Sequence, residues 1–459
     1  MMEYETIVNT LQPGRHAHLV GIGGVSMCAL AEVLYGIGIH VTGSDMQESA
    51  AVRHLRDIGI PIVIGHQESN ISQADCVIRT AAVGDANPEI AAAHEKGVPV
   101  YERAQVWGAL MQGYRNAVCI AGTHGKTTTT SMATHIFMEA QTDPTVMIGG
   151  TLPLLGASHR VGKGDTIILE SCEYRNSFLS FSPTVAVILN VEADHLDFFK
   201  DLKDIQHSFR TFALQTPEEN GIVVVNADDE GAMEAIAGIK RKLITFGFQP
   251  TADVHCAELT YENKLPVFDI IYCGQKYAHV ALHIPGQHNI YNALAAAASA
   301  IALDISGEAI EKGLDGFRGS ERRFQYKGTY HGAQVYDDYA HHPSELHALL
   351  NAAKALSYKR LICAFQPHTY TRTKALFDDF IKELKAADVV LLAEIYAARE
   401  KNTLGISAKD MADRIPGSRY FATLKELTDY LRNIARPGDL ILTVGAGDIY
   451  TVGEALVGE

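Results

Sequence analysis

The chain has few of the features that would assign a protein of 459 residues to a special class, and each shortage excludes something. Its seven cysteines, at positions 28, 76, 119, 172, 256, 273 and 363, are scattered and include no Cys-x-x-Cys pair. That pattern argues for neither a disulfide framework nor a zinc site, and it suits a reducing cytoplasm. Positive charge is also scarce. Lysine and arginine number 39 against 54 acidic residues, a net charge of −15, which argues against general affinity for nucleic acid or anionic membranes. An acidic protein that binds phosphates must hold them with a few placed groups. The longest apolar run, Ala293 to Leu303, is alanine-rich and too short to span a bilayer, so no membrane insertion is expected. Met1 to Gly14 carries acids and no apolar core, unlike a signal peptide. What remains is an ordinary globular composition, 47% apolar and 20% charged, at a length that predicts two to four domains.

The stretch from Asn116 to Glu139 carries the clearest chemistry. Asn116 to Ala121 reads as a buried strand, Gly122-Thr123-His124-Gly125-Lys126-Thr127 as a sharp turn, and the residues after it as a helix. Met132/Ile136 and Ala133/Phe137 fall at i, i+4, as on one helical face. Glycines let the backbone curl with its N–H groups inward, and a helix start adds partial positive charge. Lys126 then reaches the terminal phosphates of a nucleotide and the Thr127 hydroxyl ligates Mg²⁺. The strict phosphate-loop pattern wants glycine where Ile120 stands, so the match is to a tighter form.

A second strand-to-glycine unit lies upstream. His18-Leu19-Val20 leads into Gly21-Ile22-Gly23-Gly24-Val25-Ser26, a helix comes next, and the strand after it ends at Asp45. This resembles a dinucleotide-binding βαβ unit with an acid placed to meet a ribose, although Ser26 replaces the third glycine. Cys76 to Arg79, leading into Thr80-Ala81-Ala82, continues the alternation of an open parallel sheet. Farther on, continuous apolar runs end in polar residues: Asp165 to Leu169 before Glu170-Ser171-Cys172-Glu173, and Thr184 to Leu189 before Asn190 to His195. Carboxylate and imidazole beside a phosphate loop are plausible metal ligands. Gln287 to Asn292 precedes the alanine-rich helix. From Gly313 to Phe324 the composition turns glycine- and arginine-rich, as at a hinge, and a third alternation begins beyond it. Its strand ends carry Asp337 to Pro343, Gln366 to Arg372 and Gly445 to Asp448. The expected fold is α/β with three domains: a Rossmann-like sheet at 1–114, a central phosphate-loop sheet at 115–320 and a C-terminal Rossmann-like sheet at 321–459.

Taken in order, these stretches resemble the Mur ligases, ATP-dependent amide-bond-forming enzymes of peptidoglycan synthesis. The resemblance runs from Gly21-Ile22-Gly23-Gly24-Val25-Ser26-Met27 through Gly122 to Thr129, Asn190 to Asp197, His288-Asn289-x-x-Asn292, Arg322-Arg323-Phe324 and Asp337 to Pro343, to Phe365 to Thr373. It implies a UDP-sugar rather than NAD at the first glycine turn. Gly21, Gly23, Gly24 and Ser26 then supply loop contacts, with Ser44, Asp45, Thr80 and Ala82 near the nucleoside or sugar. ATP falls to Gly122, Thr123, His124, Gly125, Lys126, Thr127 and Thr128, with Asn289 and Asn292 near the adenine and Asp338 at the ribose. The resemblance puts Thr127, Glu170 and His195 at Mg²⁺ and Arg322 near the phosphates. Similarity to the alanine-adding branch implies that Tyr339, His341, His368 and Arg372 line the amino-acid and muramoyl end. Lys126, His195, Arg322 and Arg372 are the expected catalytic set. The implied reaction is an acid–amino-acid ligation of L-alanine to UDP-N-acetylmuramate, by a cytoplasmic monomer or homodimer. Two departures stand out. Glu170-Ser171-Cys172-Glu173 is less acidic than the form seen in some members, which leaves open which group there meets substrate. Gln206 to Phe212 lacks the lysine that sister ligases modify, as the alanine-adding branch leads one to expect.

Overall fold

Valine- and isoleucine-rich runs, apolar at consecutive positions, form strands buried on both faces, and helices carry the chain back to the same end of each sheet. The computed structural model describes residues 2–80, 82–196, 198–354, 356–398 and 400–458, so Ala81 and Asp197 of the stretches named above lie outside the described residues. Among the described residues three sheets form in chain order.

The first sheet has five parallel strands, in the order Ile62–Ile64, His40–Asp45, His16–Val20, Cys76–Arg79 and Val100–Glu102. Strand order reverses at His16–Val20, so the glycine turn after it stands at the switch point where open α/β sheets take ligands. The second sheet has ten strands. Asn116–Ala121 lies parallel between Val185–Ile188 and Thr166–Glu170, with Ala121 opposite Ile188 and Ile120 opposite Glu170. That register delivers the polar residues after all three strands to one edge. Beyond the expected strands, an antiparallel pair, Thr145–Leu152 and Ala157–Arg160, closes one side of this sheet. Val254–Glu262, Leu265–Tyr272 and Gln275–Ala281 extend the other. In the third sheet Ala333–Asp338, Asp439–Val444 and Arg360–Phe365 are parallel neighbours, and Gln325–Tyr330 adds an antiparallel edge.

The helix Lys126–Glu139 is buried at every position from Thr127 to Phe137, not along one face as the i, i+4 spacing predicts. A helix enclosed on all sides must hide its polar groups. Thr130 and Thr134 do so by donating to the carbonyls of Lys126 at 2.8 Å and Thr130 at 2.7 Å. Gly313, on the neighbouring helix Gly307–Gly316, permits the close approach: a Cβ there would lie 2.5 Å from the Ile136 Cα.

By contact density the chain divides into two units: Met1–Glu258 with Phe268–Val280 and Tyr291–Phe317, and Leu259–Val267 with Ala281–Ile290 and Arg318–Glu459. The first sheet and most of the second therefore share a unit, and the reason is a common core. Ile7 and Trp107 belong to the same buried cluster as Phe178, Phe209 and Phe212, with Phe178 stacked on Phe212 at 4.7 Å. Truncating one such phenylalanine to alanine costs about 3–5 kcal/mol. Gly108 fits the joint, since a Cβ there would sit 1.7 Å from the Ser180 carbonyl oxygen, to which the Tyr4 hydroxyl donates at 3.0 Å.

Candidate functional site

The second glycine turn is held from below by residues just past the end of the neighbouring strand. The backbone N–H of Thr123 donates to the Asn190 carbonyl at 3.1 Å, and that of His124 to Asn190 Oδ1 at 2.7 Å. The Glu192 N–H donates to Thr123 Oγ1 at 2.9 Å. Gly122 and Gly125 take φ of +153° and +85°, values that favour glycine. Gly125 also caps the helix, and Asn292 leaves it no room: a Cβ would lie 2.4 Å from Asn292 Oδ1. Thr129 donates to that same oxygen at 3.2 Å, so Asn292 stands against the turn. Asn289 is buried, its amide donating to the Pro285 carbonyl at 2.6 Å.

At the mouth of this turn several predicted residues meet. Lys126 Nζ lies 3.0 Å from Glu173 Oε2 and donates to the carbonyls of Gly122 at 2.5 Å and Thr123 at 3.1 Å. Burial, the largest single influence, works to lower the ammonium's pKa, but Glu173 together with Cys172 and Glu170 outweighs it and the net shift is upward, so Lys126 stays charged. Thr127 Oγ1 donates to Glu170 Oε1 at 2.9 Å, while the Gly149 N–H holds Glu170 Oε2 at 2.6 Å. His195, at φ +54°, turns Nε2 to 3.7 Å from Glu173 Oε1 and packs its ring on Tyr174. Thr128, the third residue of the helix, is buried.

The first turn is built differently. Gly21 and Ile22 donate to the Ser44 carbonyl at 2.8 and 3.1 Å, Gly24 to the Gly21 carbonyl at 3.2 Å, and Gly23 to Asp45 Oδ2 at 2.9 Å. Ser26 Oγ accepts from Trp107 Nε1 at 3.3 Å. Thr80 packs against Gly21, where a Cβ would meet Thr80 Cγ2 at 2.9 Å, and Ala82 is exposed nearby in sequence. The Ser44 side chain is buried and donates to Glu89 Oε2 at 2.7 Å. It supports the turn through its carbonyl while its hydroxyl belongs to the interior.

Within the second unit, the strand ends gather Arg322, Asp338, Tyr339, His341, His368 and Arg372. Arg322, at φ +58°, donates to Asp337 Oδ2 at 3.1 Å and to the Gly445 carbonyl at 2.5 Å. Its guanidinium lies over the Tyr339 and Tyr450 rings at 4.8 and 4.6 Å. Asp338 accepts from the N–H groups of Phe324 at 2.6 Å and Ala340 at 2.8 Å, and burial pushes its carboxyl up to about 6. His368 stacks on Tyr396, faces His341 at 5.9 Å, and lies with Nδ1 3.4 Å from an Arg372 nitrogen. Burial first, then His341 and Arg372, pushes His368 down to about 4, so it is uncharged at neutral pH.

Comparison with known proteins places the chain in a lineage. Profiles of the Mur ligase family catalytic domain, the Mur ligase middle domain and the Mur ligase glutamate ligase domain match residues 16–115, 120–300 and 322–447 in turn. The UDP-N-acetylmuramate–L-alanine ligase of Clostridium novyi (strain NT) is 44% identical over 444 residues, 96% of each chain. The chain belongs to the Mur ligase family. The crystal structure of the Thermotoga maritima UDP-N-acetylmuramate–alanine ligase resembles this Mur ligase with a TM-score of 0.81 at 30% identity, over 96% of this chain and 98% of that one. A murein peptide ligase from Psychrobacter arcticus 273-4 shares the fold at a TM-score of 0.72 and 24% identity, over 97% and 98% of the two chains.

In this Mur ligase the Thr127 hydroxyl and the Glu170 carboxylate present the hard oxygen donors that suit Mg²⁺, with His195 nearby, so the residues fit that ion. The sequence places Glu173 among the polar residues at its strand's end but gives it no tie to Lys126. Only 3% of its side chain is exposed and it holds the turn's lysine, yet its one visible signal was a carboxylate three residues after Glu170. Asn190 was read as part of a motif but not as the brace of the turn. Both depend on strand register, which local sequence does not display.

Proposed function

We propose that this Mur ligase joins L-alanine to the lactyl carboxylate of UDP-N-acetylmuramate, with cleavage of ATP to ADP and phosphate, in the synthesis of peptidoglycan precursors. The observation that carries the reading is 44% identity across 96% of both chains to a ligase of that name. We divide the work among domains at 1–114 for the UDP-sugar, 115–320 for ATP and 321–459 for the amino acid. No helix among the described residues is long and apolar enough to cross a membrane. We take the enzyme to work in the cytoplasm, as a monomer or homodimer.

A carboxylate is a poor acylating agent because its leaving group would be oxide. Attack of the lactyl carboxylate on the γ-phosphorus forms an acyl phosphate and releases ADP. The alanine amine, deprotonated, then attacks the acyl carbon, and phosphate leaves as the amide forms. Gly122 to Thr128 cradle the ATP phosphates, and Lys126 moves from Glu173 towards the transferring group, whose charge it stabilises. Mg²⁺, held by Thr127 and Glu170 with His195 beside them, supplies charge neutralisation when bound. Asn289 and Asn292 serve the adenine and Asp338 the ribose, while Arg322 serves the phosphates. Gly21, Gly23, Gly24, Ser26, Ser44, Asp45, Thr80 and Ala82 form the UDP-sugar end. Arg372 clamps the alanine carboxylate through its guanidinium fork, beside Tyr339 and His341. An uncharged His368 leaves that guanidinium's charge uncontested by a neighbouring imidazolium.

The test is phosphate release from ATP and Mg²⁺ with UDP-N-acetylmuramate, adding L-alanine or L-Ala-D-Glu-diaminopimelate. Release with alanine, and a product heavier by one alanyl residue, is expected. Release with the tripeptide alone would move the enzyme to a peptide-recycling role, and release with neither would refute the ligase reading.

A further inference from the structure

Away from the glycine turns, the helix Val25–Gly36 carries Cys28 and Glu32 one turn apart, so both project from the same face. That face meets the edge strand Ala157–Arg160 of the second sheet, from which His159 reaches across. The donor atoms of Cys28, Glu32 and His159 all lie within 4.8 Å of one another. Glu32 Oε1 accepts from His159 Nε2 at 2.7 Å and from His54 Nε2 at 2.6 Å, so two imidazoles converge on one carboxylate oxygen. Cys28 and His159 are buried, Glu32 is partly exposed, and about half of the His54 side chain faces solvent. His159 Nδ1 is buried without a hydrogen-bond partner.

We propose that Cys28, Glu32 and His159, with His54 at the rim, form a zinc-binding site that ties the first sheet to the edge of the second. A thiolate, imidazoles and one carboxylate are the donors a four-coordinate zinc ion takes, and the thiolate disfavours Mg²⁺. Zn–S and Zn–N bonds place tetrahedral donors about 3.3–3.6 Å apart, within reach of side-chain adjustments from the observed cluster. Binding releases one proton to solvent, from the Cys28 thiol. The two histidines bind as neutral rings through Nε2, and the hydrogen each gives to Glu32 shifts to Nδ1. The spacing of cysteines along the chain argues against zinc, but only because Glu32 and His159 stand 127 residues apart and meet through packing alone.

The experiment uses the untagged, full-length protein, stripped of metal and titrated with Zn²⁺ against a chromophoric chelator in excess Mg²⁺, and separately with Co²⁺ as an optical probe. One equivalent of Zn²⁺ should bind and raise the melting temperature, and Co²⁺ should give a thiolate-to-metal charge-transfer band. Cys28→Ser should abolish that band, whereas Cys172→Ser and Cys273→Ser, at exposed thiols, should keep it. Glu32→Gln and His159→Gln should weaken Zn²⁺ by more than the roughly 10- to 100-fold that losing a ligand's hydrogen-bond partner costs. Should Cys28→Ser fail to melt cooperatively, Glu32→Gln and His54→Asn, at less buried positions, carry the test through Zn²⁺ affinity alone. Failure of the native chain to bind Zn²⁺, a Co²⁺ band that survives in folded Cys28→Ser, or affinity unchanged in Glu32→Gln would each overturn the proposal.

Discussion

Two strand–turn–helix units lie in the same half of this chain with the same backbone plan, and they differ in what stands at the mouth of the turn. At the first, the amides of residues 21 to 24 are spent on Ser44, Asp45 and the turn itself, and the charge beside them is the half-buried Asp45 carboxylate. At the second, Lys126 holds a positive charge over the turn while Glu170 and Glu173 wait beside it. A glycine turn supplies a shape, and its neighbours supply the sign of charge. A carboxylate suits ribose hydroxyls, which donate; an ammonium suits the terminal phosphates of ATP.

The strongest way to break this comparison is to remove the ammonium. Lys126→Ala should lower phosphate release from ATP by about 10³-fold or more. It should also cost about 3 kcal/mol of stability, because Glu173 is left buried without its counter-charge. The double variant Lys126→Ala/Glu173→Gln should recover that stability in urea melts and none of the turnover. Substantial turnover in the single variant would dissolve the distinction between the turns.

A smaller effect sharpens the steric side. Gly125→Ala combines φ of +85° with a 2.4 Å approach to Asn292, and should lose about 1–3 kcal/mol. Gly24→Ala sits at φ −68° with its nearest neighbour at 3.5 Å, and should stay within about 0.5 kcal/mol of the native chain. Equal losses in the two melts would mean that the turns share one backbone constraint. The mildest test is Asp45→Asn, which should raise KM for UDP-N-acetylmuramate about tenfold, the worth of one charge-assisted hydrogen bond, and leave KM for ATP alone. A matching rise for ATP would contradict separate nucleotide sites.

Much of the fold was legible in the chain, for a physical reason. Strands buried on both faces are written as continuous apolar runs: Asn116–Ala121 emerges at the expected residues, and Arg360–Phe365 and Asp439–Val444 end where the polar stretches from Gln366 and Gly445 begin. Several of the strands not anticipated are of another kind. Val254–Glu262 and Gln275–Ala281 are half exposed, and Gln325–Tyr330 has no fully buried residue, so their apolar signal is diluted. Likewise, the threonines of Lys126–Glu139 gave no sign that the helix would be enclosed, because back-bonded hydroxyls hide polarity that a sequence displays as exposed.

By itself the sequence determined the three α/β sheets in order, the two glycine turns and the residue types at each strand end, since periodicity and turn chemistry act over a few neighbours. Tertiary structure alone decided that Glu173 would hold Lys126 and that Asn190 would brace the turn. It also decided that the first two sheets would share a core around Phe178, and that Cys28, Glu32 and His159 would meet. Each of these joins segments separated by tens of residues. Their distances are set by strand register and by the packing of one element on another, which no local pattern encodes.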